Sequence, residues 1–348
     1  LTAPTMLHPT ALTKPKARAQ PSQDPIAVLG AGAWGTALAL LASSKGIPVY
    51  LWARRAEHAQ AMQEERQNQE YLPGALFPEH LHPTADAEEA LARAQFAVVA
   101  VPSRGLRETL QGLPKAPAYV SAVKGLLFAE NHLLRISQVI QEATRVDRLA
   151  ALSGPNLAEE VARFLPAAAV AASRDPALAQ QVQQVFSGPS FRVYTTHDLV
   201  GVELGGALKN VIALAAGMVD GLGLGDNAKA ALITRGLREI IRFGIAQGAQ
   251  EATFMGLSGL GDLIATAHSP LSRNRSAGEQ LVRGRTLDHL EAQKSVVEGI
   301  YTVKALHAWD QATGADLPIT EAVYRVVYLG ADPLEELSRL MGREAKPE

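Results

Sequence analysis

The 348-residue sequence contains no cysteine. That excludes disulfides, thiolate metal sites and cysteine nucleophiles, and leaves the redox compartment open. Long hydrophobic runs are missing too: nothing approaches the roughly 18 consecutive apolar residues of a membrane span, so no transmembrane segment is expected. Neither sign of charge dominates, with 33 Lys and Arg against 35 Asp and Glu for a formal charge of -2. This balance argues against general binding of nucleic acid or anionic membrane, while a local basic pocket stays possible. The histidines show no metal-ligand spacing, and there is no G-x-S-x-G elbow or Walker A loop, so no metal is expected. What remains is the make-up of a soluble enzyme, 47% hydrophobic and 20% charged, long enough for two domains with separate cores.

The first 24 residues are rich in Pro, Ala and Thr, carry Lys14, Lys16 and Arg18, and lack the apolar core of a secretion signal. They read as a disordered arm, or as a start placed upstream of Met6, with the cytoplasm as the default location. From Ile26 the pattern becomes strand, glycine turn, helix. "IAVLG", "PVYLW", "FAVVAVP", "AYVSAVKG" and "LAALSGP" are β-rich runs separated by helical stretches, and "PAAAVAAS" and "FRVYTT" complete the set. Such alternation predicts an α/β domain with a parallel sheet and crossover helices over residues 25–198. After Asp198 every periodic stretch is helical, which predicts an all-helical domain over 199–348.

Gly30, Gly32 and Gly35 form GxGxxG directly after the first strand and at the start of a helix. Glycines there permit a tight turn, close approach of a pyrophosphate and close helix–strand packing, with the helix N-terminus facing the anion. In this context the motif predicts dinucleotide binding. At the end of the second strand, where an NAD site usually places an acid, stand Arg54 and Arg55, with no acid until Glu57. Arginine pairs with a 2′-phosphate, so NADP or dual use is favoured; a solvated strand end is the plainer alternative. Parallel-sheet topology brings "VPS", "VKG" with Lys124, and "SGPN" with Gly154 and Asn156 to the same crevice. "SGPN" is either an anion or carboxamide site or an ordinary turn.

In the helical half, "GVELGGALKNVIALAAGMVDG" sets Lys209 in an almost wholly apolar helix. Helical spacing places Lys209 over Gly205 and Gly206, with Ala213 and Ala216 on the same stripe. That bare strip is either a floor for a small molecule or a close helix contact with the lysine snorkelling to solvent. Burial would lower the lysine pKa into the range of general acid–base chemistry. Asp262, after the glycine-rich "GLSGLG", either pairs with a buried lysine or caps a helix. "SRNR" offers Ser272, Arg273, Asn274 and Arg275; Ser276 and Glu279 fit a capping box that would leave these residues in the entering turn. Arginine, asparagine and free helix-start amides suit a phosphate; a solvated basic turn is the alternative.

Taken in order, "GAGAWGTALA", "VKG", "SGPN", "GVELGGALKNVIALAAGM", "GLSGLGDL", "SRNR" and "VVEG" resemble the bacterial NAD(P)-dependent glycerol-3-phosphate dehydrogenase family over roughly residues 26–342. The resemblance implies a Rossmann-type domain followed by a helical one, a homodimer, and reversible reduction of dihydroxyacetone phosphate to sn-glycerol 3-phosphate for phospholipid synthesis. It implies that Lys209 exchanges the proton at the C2 oxygen while Lys124 touches both substrate and cofactor. Gly154, Asn156, Asp262, Ser272, Arg273 and Asn274 would bind substrate, with Asp262 also counted as catalytic. Gly30, Gly32, Ala33, Trp34, Gly35, Arg54, Arg55, Lys124, Ala158, Arg273, Val296 and Glu298 would contact the dinucleotide. Asn156 stands where relatives often carry serine or threonine, keeping a polar group but losing the hydroxyl. Two other readings compete: a reductase of the same build acting on a carboxylate substrate such as ketopantoate, and a non-catalytic NADP sensor. The phosphate-suited "SRNR" stretch speaks against the first, and retention of both lysines and Asp262 against the second.

Overall fold

The computed structural model of the chain describes residues 24–292 and 296–344; the expected arm, except for Asp24, lies outside them. Among the described residues the main sheet has eight strands, ordered Phe191–Thr196, Ala167–Ser173, Leu149–Ser153, Tyr119–Ser121, Ala97–Val99, Ile26–Leu29, Val49–Trp52 and Leu81–Thr84. Side chains alternate along these strands and feed two apolar layers. Ile26, Val28, Leu51, Val98 and Val120 point into one; Ala27, Leu29, Trp52, Val99 and Tyr119 point into the other. Helices cover both faces, which is why the central strands read as continuous apolar runs.

The sheet is not parallel throughout. Ala167–Ser173 runs antiparallel to Leu149–Ser153, and Phe191–Thr196 pairs parallel to it at the edge. Three further features lie beyond the sequence expectation: the edge strand Leu81–Thr84 and the hairpins Gln67–Asn68/Leu72–Leu76 and Leu126–Ala129/His132–Arg135. Leu81–Thr84 carries His82 and Pro83, an edge-strand composition that lacks the apolar signature of its neighbours.

Strand order reverses between Ile26–Leu29 and Ala97–Val99. At such a switch point the loops beyond the strand ends part and leave a crevice.

After Asp198 the described residues are helical. Helix Leu199–Gly221 is the axis of this half, with 20 buried residues and Asp198 as its N-cap, whose carboxylate accepts from Gly201 N. Its length and apolarity alone would suit a bilayer, but it is enclosed by other helices. Helix Arg273–Val282 crosses it closely: a Cβ on Gly217 would lie 1.9 Å from the Arg275 carbonyl oxygen, and one on Gly278 the same distance from that of Leu214. Glu203, from the same axis, reaches the N-terminal domain. It accepts from Ser137 N at 2.7 Å, from Ser137 Oγ at 2.6 Å and from Arg135 Nη1 at 2.9 Å.

Candidate active site

A cleft of about 840 Å³ runs from the glycine turn to the axial helix. The three glycines at its outer part answer to different constraints. Gly30 has φ +115°, and a Cβ there would press on Ala100 C and O at 2.8 Å, across the switch point. A Cβ on Gly35 would sit 1.9 Å from the Gly30 carbonyl oxygen, so this glycine lets helix Ala33–Ser43 lie against the strand. Gly32 faces open space, and as N-cap it offers no side chain to the first helical amides. An anion can therefore take the cap's place. Trp34, beside it, has a buried Nε1 without a partner among the described residues, a donor suited to a ligand oxygen. These features fit the pyrophosphate of a dinucleotide.

Ala33, Trp34, Arg54, Arg55, Ala158, Val296 and Glu298 line the cleft with Gly30 and Gly32, whereas Gly35 lies behind its wall. Arg55 is engaged, its Nη2 donating to Glu70 Oε2 at 2.5 Å. Glu298 accepts from Ser103 N at 3.0 Å and Ser103 Oγ at 2.6 Å, which ties the "VPS" loop to the start of helix Glu298–Thr313. Burial pushes the Glu298 carboxyl above its usual range, against the pull of both Ser103 hydrogen bonds.

At the inner end three charged side chains meet. Lys124 Nζ donates to Asp262 Oδ2 at 2.5 Å and to the Gly154 carbonyl at 2.9 Å. Lys209 Nζ lies 3.0 Å from Asp262 Oδ1 and donates to Thr266 Oγ1 at 2.5 Å; that hydroxyl donates on to Asp262 Oδ1 at 3.1 Å. One carboxylate is thus shared by two ammonium groups. Lys209 is 5% exposed and Asp262 1%. Burial lowers the Lys209 pKa from 10.5 to about 8; Asp262 works the other way, and the Lys124 charge adds to the lowering. A group with such a pKa can give a proton at pH 7 and take one slightly above.

Asp262 lies behind the lysines rather than on the cleft wall, while Lys124, Lys209 and Thr266 line it. It is the first residue of helix Asp262–His268, entered through the π-helical turn Leu257–Gly261. Its side chain spends both oxygens on the cluster instead of capping.

Asn156 lines the cleft; its Nδ2 donates to the Ala168 carbonyl at 2.9 Å, and its Oδ1 has no partner among the described residues. Gly154 is excluded from carrying a side chain by the Ala168 carbonyl, 2.7 Å from its would-be Cβ. Ser272, Arg273 and Asn274 reach the same cavity. Here the expected capping box fails: helix Arg273–Val282 begins four residues earlier, with Ser272 in place of Ser276 as its cap and its Oγ accepting from Arg275 N at 3.2 Å. Arg273 and Asn274 occupy its first turn. Asn274 is held in a chain, donating to Asn210 Oδ1 at 3.0 Å and accepting from Gly299 N at 2.9 Å, while Asn210 Nδ2 donates to the Lys124 carbonyl at 3.2 Å.

The strip of small residues is not a floor for substrate. A Cβ on Gly205 would meet the Ser258 carbonyl at 2.8 Å; one on Gly206 would meet Ser153 Oγ at 2.8 Å and the Lys124 stem at 3.5 Å. Ala213 is wholly buried. The glycines admit other parts of the protein, Lys124 among them. The alternative holds in its close packing but not in its lysine, which ends inside the cluster instead of snorkelling to solvent.

Sequence reasoning did not single out Thr266, Asn210, Ser103 or Glu70. Thr266 had a usable signal, four residues after Asp262 on the same helix face. The others act through contacts far apart in the chain.

The family model for the N-terminus of NAD-dependent glycerol-3-phosphate dehydrogenase matches residues 25–179, and that for its C-terminus matches residues 198–338. The glycerol-3-phosphate dehydrogenase [NAD(P)+] of Thermus thermophilus is 61% identical over 323 residues, covering 93% of this chain and 99% of the relative. That of Deinococcus radiodurans is 54% identical over 321 residues, 92% and 96% of the two chains. The crystal structure of glycerol-3-phosphate dehydrogenase from Coxiella burnetii superposes with a TM-score of 0.86 at 37% identity, covering 92% of this chain and 99% of that one. A glycine turn at the sheet's switch point and a Lys–Asp–Lys cluster at the far end of one cleft, in a chain matched along nearly its whole length, place this protein in the NAD-dependent glycerol-3-phosphate dehydrogenase family.

Proposed function

We propose that the chain catalyses the reversible NAD(P)H-dependent reduction of dihydroxyacetone phosphate to sn-glycerol 3-phosphate. The observation that carries this reading is Asp262 held between Lys124 and Lys209 at the inner end of the dinucleotide-shaped cleft. When bound, the dihydronicotinamide supplies a hydride to the C2 carbonyl carbon. Lys209, as ammonium, donates its proton to the C2 oxygen as negative charge grows there. Lys124 adds positive charge beside that oxygen, in a site dry enough to make the charge count. Asp262 favours the ammonium form of Lys209 against its burial, and the Thr266 hydroxyl fixes the Lys209 rotamer. In the reverse direction neutral Lys209 takes the hydroxyl proton.

Arg273 and Asn274, in the first turn of a helix opening on the cleft, suit the phosphate of the substrate. Their contact would turn phosphate binding energy into alignment of C2. Ser272, whose hydroxyl caps that helix, orders the turn; Asn156 lies on the cleft wall, while Gly154 lies behind it and its carbonyl accepts from Lys124. At the outer end Gly32, Ala33 and Trp34 would hold the pyrophosphate, while Ala158, Val296 and Glu298 line the way inward. Arg54, exposed on the cleft and without an ion pair among the described residues, favours NADP. A cytoplasmic homodimer supplying phospholipid synthesis completes the proposal, and rests on the family resemblance alone.

The test is oxidation of NADPH and NADH, side by side, dependent on dihydroxyacetone phosphate. Turnover with both and a lower KM for NADPH is the expected result. Turnover with ketopantoate in place of dihydroxyacetone phosphate would sink the proposal.

A further inference from the structure

The acid that the second strand lacks is supplied from elsewhere in the fold. Glu70 sits in the turn of the hairpin Gln67–Asn68/Leu72–Leu76 and lines the same end of the cleft as Arg54, Arg55 and Tyr71. The hairpin is fastened to the glycine turn by Asn68, fully buried, whose Nδ2 donates to the Ala31 carbonyl and to Thr36 Oγ1, both at 2.8 Å. Asn68 Oδ1 accepts from Tyr71 N at 3.2 Å and lies 3.0 Å from His58 Nε2. Glu70 is therefore held in register with the loop suited to the pyrophosphate, at the place where the adenosine ribose must follow.

We infer that Glu70 sets the balance between the two coenzymes, by taking Arg55 out of use for a 2′-phosphate and offering its own carboxylate to the ribose hydroxyls of NADH. The inference rests on the dehydrogenase reading above and extends it to coenzyme choice. Two observations support it. Arg55 and Glu70 are paired at 2.5 Å, so of the two strand-end arginines only Arg54 is left to meet a phosphate without first breaking an ion pair. Glu70 is ionised in this setting: partial burial pushes its pKa up, but the hydrogen bonds from Arg55 and Tyr71 and the Arg55 charge outweigh that and leave it lowered. A carboxylate there repels a 2′-phosphate dianion and accepts hydrogen bonds from a ribose diol. With NADPH bound, Arg55 would have to exchange one anionic partner for another and gain little; with NADH bound, it steadies Glu70.

The test is the Kd of Glu70→Gln for NADPH and NADH, followed by coenzyme fluorescence without substrate, together with KM and kcat at saturating dihydroxyacetone phosphate, beside Arg55→Gln and the double variant. Glu70→Gln keeps the side-chain shape and lies away from the reacting atoms. For a partly exposed ion pair, the KM for NADPH is expected to fall about three- to tenfold, with the KM for NADH rising and kcat for either changing less than about twofold. In the double variant the NADPH gain should be smaller than in Glu70→Gln, because the relief of the carboxylate's repulsion remains but no freed arginine does. An unchanged NADPH/NADH ratio in Glu70→Gln, or a gain undiminished in the double variant, overturns the inference. Absence of turnover by the unmodified enzyme with both coenzymes would instead strike the dehydrogenase reading.

Discussion

Replacing Asp262 by asparagine removes the one negative charge that two buried ammonium groups share. The amide keeps the shape and can still accept from Thr266, so the change is electrostatic. Asp262 Oδ1 lies 3.0 Å from Lys209 Nζ and opposes the burial that has lowered the lysine to about 8. An opposite charge at such range moves a pKa by roughly 1–3 units, so its loss should take Lys209 further down from about 8. The lysines interact, and the value read belongs to the pair.

For dihydroxyacetone phosphate reduction by NADPH, kcat falls with rising pH as Lys209 loses its proton. That descending limb should move toward acid by about 1–3 units in Asp262→Asn, so reduction at pH 8 drops at least about fivefold. In glycerol 3-phosphate oxidation, where neutral Lys209 is the base, the ascending limb should move the same way. Parallel displacement of both limbs separates a charge effect from a loss of fold, which would lower both rates at every pH. A descending limb unmoved in the variant would refute the assignment of Asp262 as the partner that holds Lys209 charged.

Two glycines make opposite forecasts. Gly217→Ala forces a Cβ to 1.9 Å from the Arg275 carbonyl oxygen, so the crossing of helix Arg273–Val282 over the axial helix must open; stability, read from the urea midpoint, should fall by about 1–3 kcal/mol. Gly32→Val adds bulk where the protein itself has nothing within 4 Å, so the urea transition should shift by no more than about 1 kcal/mol, while the Kd for NADPH, followed by coenzyme fluorescence, rises at least about tenfold. Normal coenzyme affinity in Gly32→Val would show that the open helix start is not the pyrophosphate site.

The sheet strands buried on both faces were readable as apolar runs, because burial on both sides leaves no polar alternation to confuse with a helix. Leu81–Thr84 was not, since an edge strand tolerates Pro83 and His82. The reversed direction of Ala167–Ser173 has no signature either: a long enough connection serves both senses of pairing. In the site, Lys124 and Lys209 were legible because an ammonium group at a strand end or in an apolar helix needs a reason. The glycines beneath Lys209 left a substrate floor and a close packing contact both open. Small residues announce a close approach without saying what approaches, and here it is the Ser258 backbone and the Lys124 stem. Glu70 was invisible because its meaning comes from a hairpin pinned by Asn68 to a loop 37 residues earlier in the chain.

The central claim is that Lys209 delivers the proton to the substrate oxygen. Its most direct test is Lys209→Met, which keeps most of the buried stem and leaves Asp262 paired with Lys124, measured at pH 7 for NADPH affinity and for kcat with dihydroxyacetone phosphate. The account predicts NADPH binding within about twofold of the unmodified enzyme and a kcat lower by at least about 100-fold, the usual scale of lost general acid catalysis. A variant that binds NADPH normally and turns over at the original rate would contradict it.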